Sequence, residues 1–262
     1  MTEKWLICVT AGEWQYKSII EAKNAGYKIL AIDSNSQAAS LGLADCSIVM
    51  AFSKPLEICK EIESYSLNLC GVISFASEAG MGLVAQIAKY FSLNGMDRVL
   101  AERFIDKSIQ RKIWKEQGVE SLAFEVFDDP SPALEYIINS KIDLIVKPCI
   151  SSGSRGVQKI ASKSHNALST HLSNAFHHSK SNQIILEQYI QGTEFIIEVF
   201  FNNEALNILA ILQKNKVPNT DNTVASELFT PDISEELFLN IAHKIRDAYI
   251  ALGYKNGPGH AE

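Results

Sequence analysis

The chain has 262 residues, 47% of them hydrophobic and 21% charged, with a formal net charge of −6. That composition suits a globular protein with one large or two smaller cores, and the acidic balance gives no electrostatic basis for binding nucleic acid. No stretch approaches the roughly 20 apolar residues of a membrane helix, and the opening MTEKWLICVT lacks the basic-then-apolar organisation of a secretory leader.

Up to about Gly95 the pattern alternates strand and helix. Trp5 to Val9 is a continuous apolar run of the kind expected for a strand buried on both faces. A turn at Ala11-Gly12 leads into a helix with apolar positions Ile19, Ile20, Ala22 and Ala25, closed by Gly26. Lys28 to Ile32 is the second strand and ends at Asp33. A short helix over Ala38 to Leu43 precedes a third strand, Ser47 to Met50. Leu56 to Tyr65 reads as helix, Gly71 to Ser74 as the fourth strand, and Ala79 to Phe91 as the next helix. Strands separated by helices of this length predict a parallel sheet covered on its faces.

Beyond Gly95 the rhythm changes. A helix near Lys107 to Gln117 precedes a strand at Ala123 to Phe127, a helix at Pro132 to Asn139 and a strand at Leu144 to Lys147. The loop SSGSRGV follows, then a helix near Asn166 to Phe176 and the strand Ile184 to Gln188. Glu194 to Phe201 and Ala205 to Leu212 alternate around the turn Asn202-Asn203, which predicts an antiparallel hairpin. Lys214 to Pro231 reads as a long polar loop, Glu235 to Leu252 as a helix ending at Gly253, and the chain closes on GPGHAE. The five cysteines are scattered and mostly lie in apolar runs. They read as reduced thiols of a cytoplasmic protein, neither a disulfide frame nor a zinc site.

Two segments invite a chemical reading. A strand, a turn, a helix and then Asp33 after the second strand outline a dinucleotide fold, but TAGEWQ holds one glycine where that fingerprint needs three. Asp33 is equally explained as a strand-end turn residue. The segment from Val146-Lys147-Pro148 to Val157 is more informative. Gly153 and Gly156 allow backbone N–H groups to approach phosphate oxygens, and Lys147 supplies a fixed positive charge beside them. Further on, LEQYIQGTEF places Glu187 at the end of an apolar strand, where it can face an adenine edge, and Glu194 where it can accept from ribose hydroxyls; by themselves these residues read more simply as a surface strand end with a turn at Gln191-Gly192.

The ordered set Asp106-Lys107…Arg111, VKP-x-x-SSGSRGV and LEQYI-x-GTEF resembles the ATP-grasp superfamily, in particular the branch of biotin carboxylase, carbamoyl-phosphate synthetase and the L-amino acid ligases. The resemblance runs over nearly the whole chain. It implies a Rossmann-like α/β domain over residues 1–95, then an α+β ATP-grasp domain over 96–262 with a lid subdomain at about 120–190, incomplete at its C-terminal end. On that resemblance Lys107 and Lys147 are the two ATP-contacting lysines, and Ser152, Gly153, Ser154 and Gly156 belong to the loop that folds over the phosphates. Glu187 lies at the adenine amino group, Tyr189 and Ile190 in the linker that reads the ring, and Glu194 at the ribose. Glu262 is implied as a magnesium ligand and Lys214 as a basic residue near the substrate; Arg111 is expected to brace its helix. The family's bridging carboxylate and phosphate-binding arginine follow that glutamate a few residues later, so the expectation is a C-terminally truncated piece.

The resemblance therefore implies an ATP-dependent carboxylate–amine ligase acting through an acyl phosphate on small molecules, with ATP and Mg2+ and without nucleic acid or membrane. A homodimer stays open. Two other readings remain: a non-catalytic ATP-binding module and an NAD(P)-binding oxidoreductase domain.

Overall fold

The computed structural model describes residues 3–120, 122–161, 164–216 and 225–262. The chain divides into two compact units, Met1–Ile105 and Asp106–Glu262. In the first, β1 (Trp5–Val9), β2 (Lys28–Asp33), β3 (Cys46–Val49) and β4 (Leu69–Ile73) form a parallel sheet in the order β3-β2-β1-β4. The crossovers are made by α1 (Tyr16–Asn24) and α2 (Pro55–Ser64), and α3 (Met81–Tyr90) follows β4. Strand alternation sends Ile7, Val9, Leu30 and Ile32 to the face packed with Ile58, Ile62, Leu83 and Ile87, while Cys8 and Ile29 pack with Ile19 on the other. Both faces are dry, which is why these strands read as unbroken apolar runs.

Asp33 closes β2 inside this unit. Its Oδ2 accepts from the Ala11 N–H at 2.7 Å and its Oδ1 from the Asn35 N–H at 2.8 Å, with the residue 9% exposed. The carboxylate is thus spent on tying the ends of β1 and β2 together, the turn-residue reading rather than the dinucleotide one. The helix expected over Ala38 to Leu43 shrinks to a single 3₁₀ turn at Leu41–Leu43. Buried Ser40 is drawn instead onto the turn after β1, its N–H donating to Ala11 O at 2.8 Å and its hydroxyl to Gly12 O at 2.7 Å.

A further helix, α4 (Arg98–Ile105), follows Gly95, where the pattern gave no element. Asp97 opens it by accepting from the Leu100 N–H at 2.7 Å, and α4 packs on α3, which keeps these residues with the first unit.

The second unit starts with α5 (Lys107–Glu116), capped by Asp106, whose carboxylate accepts from the Ser108 N–H at 2.8 Å. Its first sheet has the order β5-β8-β6-β7, built from β5 (Phe124–Phe127), β6 (Leu144–Pro148), β7 (Gln158–Lys159) and β8 (Ile184–Gln188), all antiparallel. Leu144, Val146, Ile184 and Leu186 point to α6 (Pro130–Asn139) and α7 (His165–His178), forming a core with Ala133, Ile137, Leu168 and Leu172. The second sheet has the order β11-β10-β9-β12, from β9 (Glu194–Asn202), β10 (Ala205–Lys216), β11 (Ala225–Phe229) and β12 (Gly257–Ala261). Against it Phe201 stacks on Tyr249 of α8 (Glu235–Leu252) at 5.0 Å and meets Tyr254 edge-on at 5.6 Å. α8 also packs on α5, where the Trp114 indole N–H donates to Ala248 O at 2.9 Å.

The hairpin β9–β10 is longer than its apolar pattern suggests, and the expected loop from Lys214 to Pro231 is partly strand. β10 runs through Lys216 and β11 pairs with it, Lys214 opposite Leu228 and Asn215 opposite Glu227. Polar side chains paired across the sheet hide the strand pattern there; residues 217–224 lie outside the described part. GPGHAE likewise forms a strand, β12, along β9.

Removing the Asp33 carboxylate leaves the Ala11 N–H buried without an acceptor and frees the turn at Asn35. The Asp33→Ala chain should be less stable by about 2–4 kcal/mol, on the scale of hydrogen bonds to a charged group. Urea unfolding checks this; a change within about 0.5 kcal/mol, the range of a featureless surface substitution, would contradict it.

Candidate nucleotide-binding site

The site of the second unit starts from a buried charge. Strand alternation turns Ile184 and Leu186 of β8 toward the helical core and Glu187 toward the opposite face, where it is 1% exposed. A carboxylate so buried needs partners. Lys147 Nζ, from β6, lies 2.5 Å from Oε2, and Arg111, from α5, donates from Nε to Oε1 at 2.8 Å. Arg111 also pairs with Glu120 and lies over the Trp114 ring, 5.4 Å from its centroid. Burial opposes the charge on Glu187, but Lys147 and Arg111 outweigh it and hold its pKa below the ordinary carboxylate range. Burial likewise opposes the Arg111 charge, and Glu187 and Glu120 more than restore it.

Beside this centre runs the glycine/serine loop between β6 and β7. Lys107, at the first turn of α5, donates from Nζ to Ser151 O at 3.1 Å and from its backbone N–H to Cys149 O at 3.0 Å. Arg155 folds back on the loop, donating to Ser152 O and to Ser152 Oγ, each at 3.1 Å. The two glycines differ in kind. Gly156, at φ +74°, is wedged so that a Cβ would come within 2.9 Å of Pro148 and 3.2 Å of the Ala175 backbone, whereas Gly153, at φ +65°, has nothing within 4 Å. Gly156 therefore anchors the loop on α7, and Gly153 leaves its tip open for a close backbone approach.

A cavity of about 350 Å³ opens next to the loop-bearing sheet. It is lined by Lys159, Tyr189, Gln191 to Glu194 and Gln213 to Lys216. Lys159 stands 4.1 Å over the Tyr189 ring. Across β9 and β10, Glu194 sits opposite Lys214, with Lys214 Nζ at 2.7 Å and Lys216 Nζ at 2.6 Å from its two oxygens. Lys214 also reaches Glu262 Oε1 at 3.1 Å, bridging two carboxylates while its side chain is only 10% exposed. His260 continues the row: its Nδ1 lies 2.8 Å from Glu198 Oε1 and its Nε2 3.9 Å from Glu262 Oε1. With Glu262 and Glu198 on its two sides, His260 is raised to about 9, and Glu262 is lowered to about 2.

The structure places the sequence-nominated residues in one unit and in two groups. Lys107, Ser152, Gly153, Ser154 and Gly156 stand at the loop, with Lys147 joined to Glu187 beside it. Tyr189 and Glu194 line the cavity, Glu262 is tied to Glu194 through Lys214, and Ile190 is 61% exposed on the linker between β8 and β9. Arg111, expected only to brace its helix, is a direct partner of Glu187. Its spacing of four residues from Lys107 on one helix face was the available signal. Lys159, Lys216, Glu198 and His260 were not nominated at all. They lie on polar strands or edges whose neighbours only the sheet register defines.

No group of three or more acidic, histidine or cysteine side chains gathers as a metal cage among the described residues. Glu262 offers one half-exposed carboxylate beside Lys214. This fits a magnesium ion of the kind held by one or two carboxylates together with nucleotide phosphates.

Comparisons with known proteins agree with this geometry. Residues 140–262 match the ATP-grasp domain family. The whole chain superposes on an L-amino acid ligase from Bacillus licheniformis with a TM-score of 0.79 at 21% identity, covering 99% of this chain and 63% of that one. The biotin carboxylase domain of 2-oxoglutarate carboxylase from Hydrogenobacter thermophilus, solved with MgADP, ADP and bicarbonate, gives 0.77 at 14% identity, over 99% and 60%. A phosphoribosylamine–glycine ligase from Methanocorpusculum labreanum is 24% identical over 201 residues, which are 76% of this chain and 43% of that protein. The chain thus carries the fold of these solved enzymes, and the family match lies within its second unit. It spans 60% to 67% of the solved chains and about two fifths of the first curated relatives.

Two outcomes follow from the charges. Glu187→Gln leaves Lys147 and Arg111 facing a neutral amide and should cost about 3–5 kcal/mol, the scale for breaking a buried ion pair on one side, read by urea denaturation. His260 is raised above its unfolded value of 6.5, so its contribution is complete below pH 6.5 and is lost as pH rises through about 9. A pH series of thermal midpoints on metal-free protein should show that loss in the parent chain and not in His260→Gln.

Proposed function

We propose that this chain is the nucleotide-binding part of an ATP-dependent carboxylate–amine ligase. The observation that carries it is the arrangement in one unit of two cationic centres. Lys107 and Lys147 flank a glycine/serine loop, and Lys214 lies between Glu194 and Glu262 at the cavity edge. The identity of several relatives as ligases supports the same reading.

In such a reaction a substrate carboxylate oxygen attacks the γ-phosphorus of ATP, the bond to the β–γ bridging oxygen breaks, and ADP departs. An amine nitrogen then attacks the acyl carbon and loses its proton, while the bond to the phosphate oxygen breaks and phosphate leaves. Phosphoryl transfer of this kind asks the protein for position and charge rather than covalent help. Lys107, Lys147 and the loop N–H groups would neutralise phosphate oxygens, Tyr189 and Ile190 would flank the base, and Glu194 would accept from the ribose. Glu262 would hold magnesium, which spreads the phosphate charge when bound. No side-chain nucleophile is needed, and the nearby Cys149 suits none: burial, with Asp106 beside it, pushes its thiol up to about 12. Closure of the open Gly153 tip would keep water from the acyl phosphate.

Thermal unfolding with Mg-ATP, Mg-ADP and NAD, each in large excess, tests the reading. A nucleotide at about 100 times its dissociation constant stabilises by roughly 2.7 kcal/mol, which at about 2–4 °C per kcal/mol is a rise of several degrees. The expected result is a rise with the adenine nucleotides and none with NAD. A rise with NAD alone, or none with any, would overturn it.

A further inference from the structure

From the register of the second sheet we infer that Glu198 and His260 are positioning residues for Glu262. They form a hydrogen-bonded brace that fixes the carboxylate through which the site takes a divalent cation. This deepens the proposed function and rests on it. β12 pairs antiparallel with β9 so that His260 lies directly opposite Glu198. Directly opposed residues project to the same face with their Cβ atoms about 4.5–5.5 Å apart. Glu262 follows His260 by two residues and shares that face, as does Glu194, four residues before Glu198. One face therefore carries three carboxylates, Glu194, Glu198 and Glu262, interleaved with Lys214, Lys216 and the His260 ring.

Within that row the partners are unequal. Glu194 is held by two ammonium groups and belongs to the cavity lining. Glu198 does not line the cavity, and its polar side-chain partner among the described residues is the His260 ring, at 2.8 Å. A ring nitrogen bonded to a carboxylate fixes the plane and orientation of the imidazole, and so the direction of the other nitrogen. That other nitrogen, Nε2, faces Glu262 Oε1 at 3.9 Å, the same oxygen that Lys214 contacts at 3.1 Å. One oxygen of Glu262 is thus flanked from two sides, while Oε2 makes no hydrogen bond or ion pair among the described residues. A carboxylate held by one oxygen has a fixed rotamer and presents the other oxygen in a set direction. A magnesium ion, which demands near-ideal geometry and dehydrates reluctantly, profits from such a ligand.

A cross-strand pair that only pins β12 to β9 would affect stability and leave the magnesium requirement alone; a brace on the cation ligand separates the two. The experiment is calorimetric titration of ADP into the 262-residue chain, first in EDTA and then across a magnesium series. It is run on the parent chain, Glu198→Ala, Glu198→Gln and His260→Ala. In the parent chain magnesium tightens ADP binding. In Glu198→Ala and His260→Ala the magnesium concentration giving half of that gain rises by about 10–100-fold, the usual effect of removing a group that orients a metal ligand. Their ADP affinity in EDTA stays within about twofold, well under 1.4 kcal/mol by the affinity relation. Glu198→Gln, which keeps an oxygen acceptor for the ring N–H, lies between them and the parent. It also carries the test if His260→Ala does not fold.

Variants with an unchanged magnesium requirement overturn the brace while leaving the nucleotide site standing. Variants that lose ADP affinity equally in EDTA and in magnesium show a structural pair and overturn it as well. A parent chain that binds ADP with no gain from magnesium removes Glu262 as cation ligand, and the brace with it. A parent chain that binds no ADP at all fails the proposed function first, a distinct result.

Discussion

The geometry of the second unit depends on one buried anion. Glu187 sits in the middle of a four-stranded sheet, on the face away from the helical core, and cannot stay charged there alone. It draws Lys147 from the neighbouring strand and Arg111 from α5, so that a sheet and a helix separated by a sequence distance of 76 residues are locked by one carboxylate. That lock has consequences beyond stability. α5 carries Lys107 at its first turn and Trp114 near its end, the first bonded to the glycine/serine loop and the second to α8. Fixing α5 through Arg111 therefore fixes the loop base at one end and the packing of the aromatic-backed second sheet at the other. A buried ion pair is weak evidence for net stability, since apolar residues of similar volume often do as well. Its value here is directional: apolar residues could fill the space but could not aim Lys147.

The fold was legible in the sequence wherever burial was two-sided or periodic. The strands of the first unit appear as apolar runs because both faces are covered, and α8 appears because its apolar stripe meets a glycine stop at Gly253. Legibility failed where polar residues carry strand structure. The stretch Lys214 to Lys216 reads as loop because lysine and asparagine alternate there, yet both lysines turn to Glu194 across the sheet. The helix Arg98–Ile105 has no long apolar stripe and follows a loop, so the pattern gave no element there, although Asp97 caps it. The turn at Leu41–Leu43 was overread because the demand on Ser40 comes from Gly12, far away in sequence.

The same distinction holds for the site. Motif order singled out the loop, the two lysines and the glutamates, because glycine and charge next to a strand end are visible in one dimension. What motif order could not supply was partnership. Arg111 was visible as a residue and invisible as a partner of Glu187, since nothing in a linear pattern says which face of α5 meets which strand. His260 and Glu198 were hidden further still, their relation being a register between strands 62 residues apart. Residues acting through their own chemistry tend to be found from sequence, and residues acting through another residue tend to need the sheet.

On the face of the second sheet, charge balance links Glu194 and Glu262. Lys214 contacts Glu194 at one end and Glu262 at the other, within 2.7 and 3.1 Å. Burial works against its ammonium charge, and the two carboxylates more than make up for it. On the proposed function, a divalent cation at the free oxygen of Glu262 would weaken the hold of Lys214 on the other oxygen, and ribose hydroxyls at Glu194 would compete for the same ammonium from the other side. Any ligand that relieves one carboxylate of the lysine changes what the lysine can offer to the other. Under that proposal the two halves of a metal–nucleotide complex would be coupled through a single largely buried side chain. Lys216 moderates this at Glu194 and His260 at Glu262, so each carboxylate keeps a second cationic partner when Lys214 is drawn away.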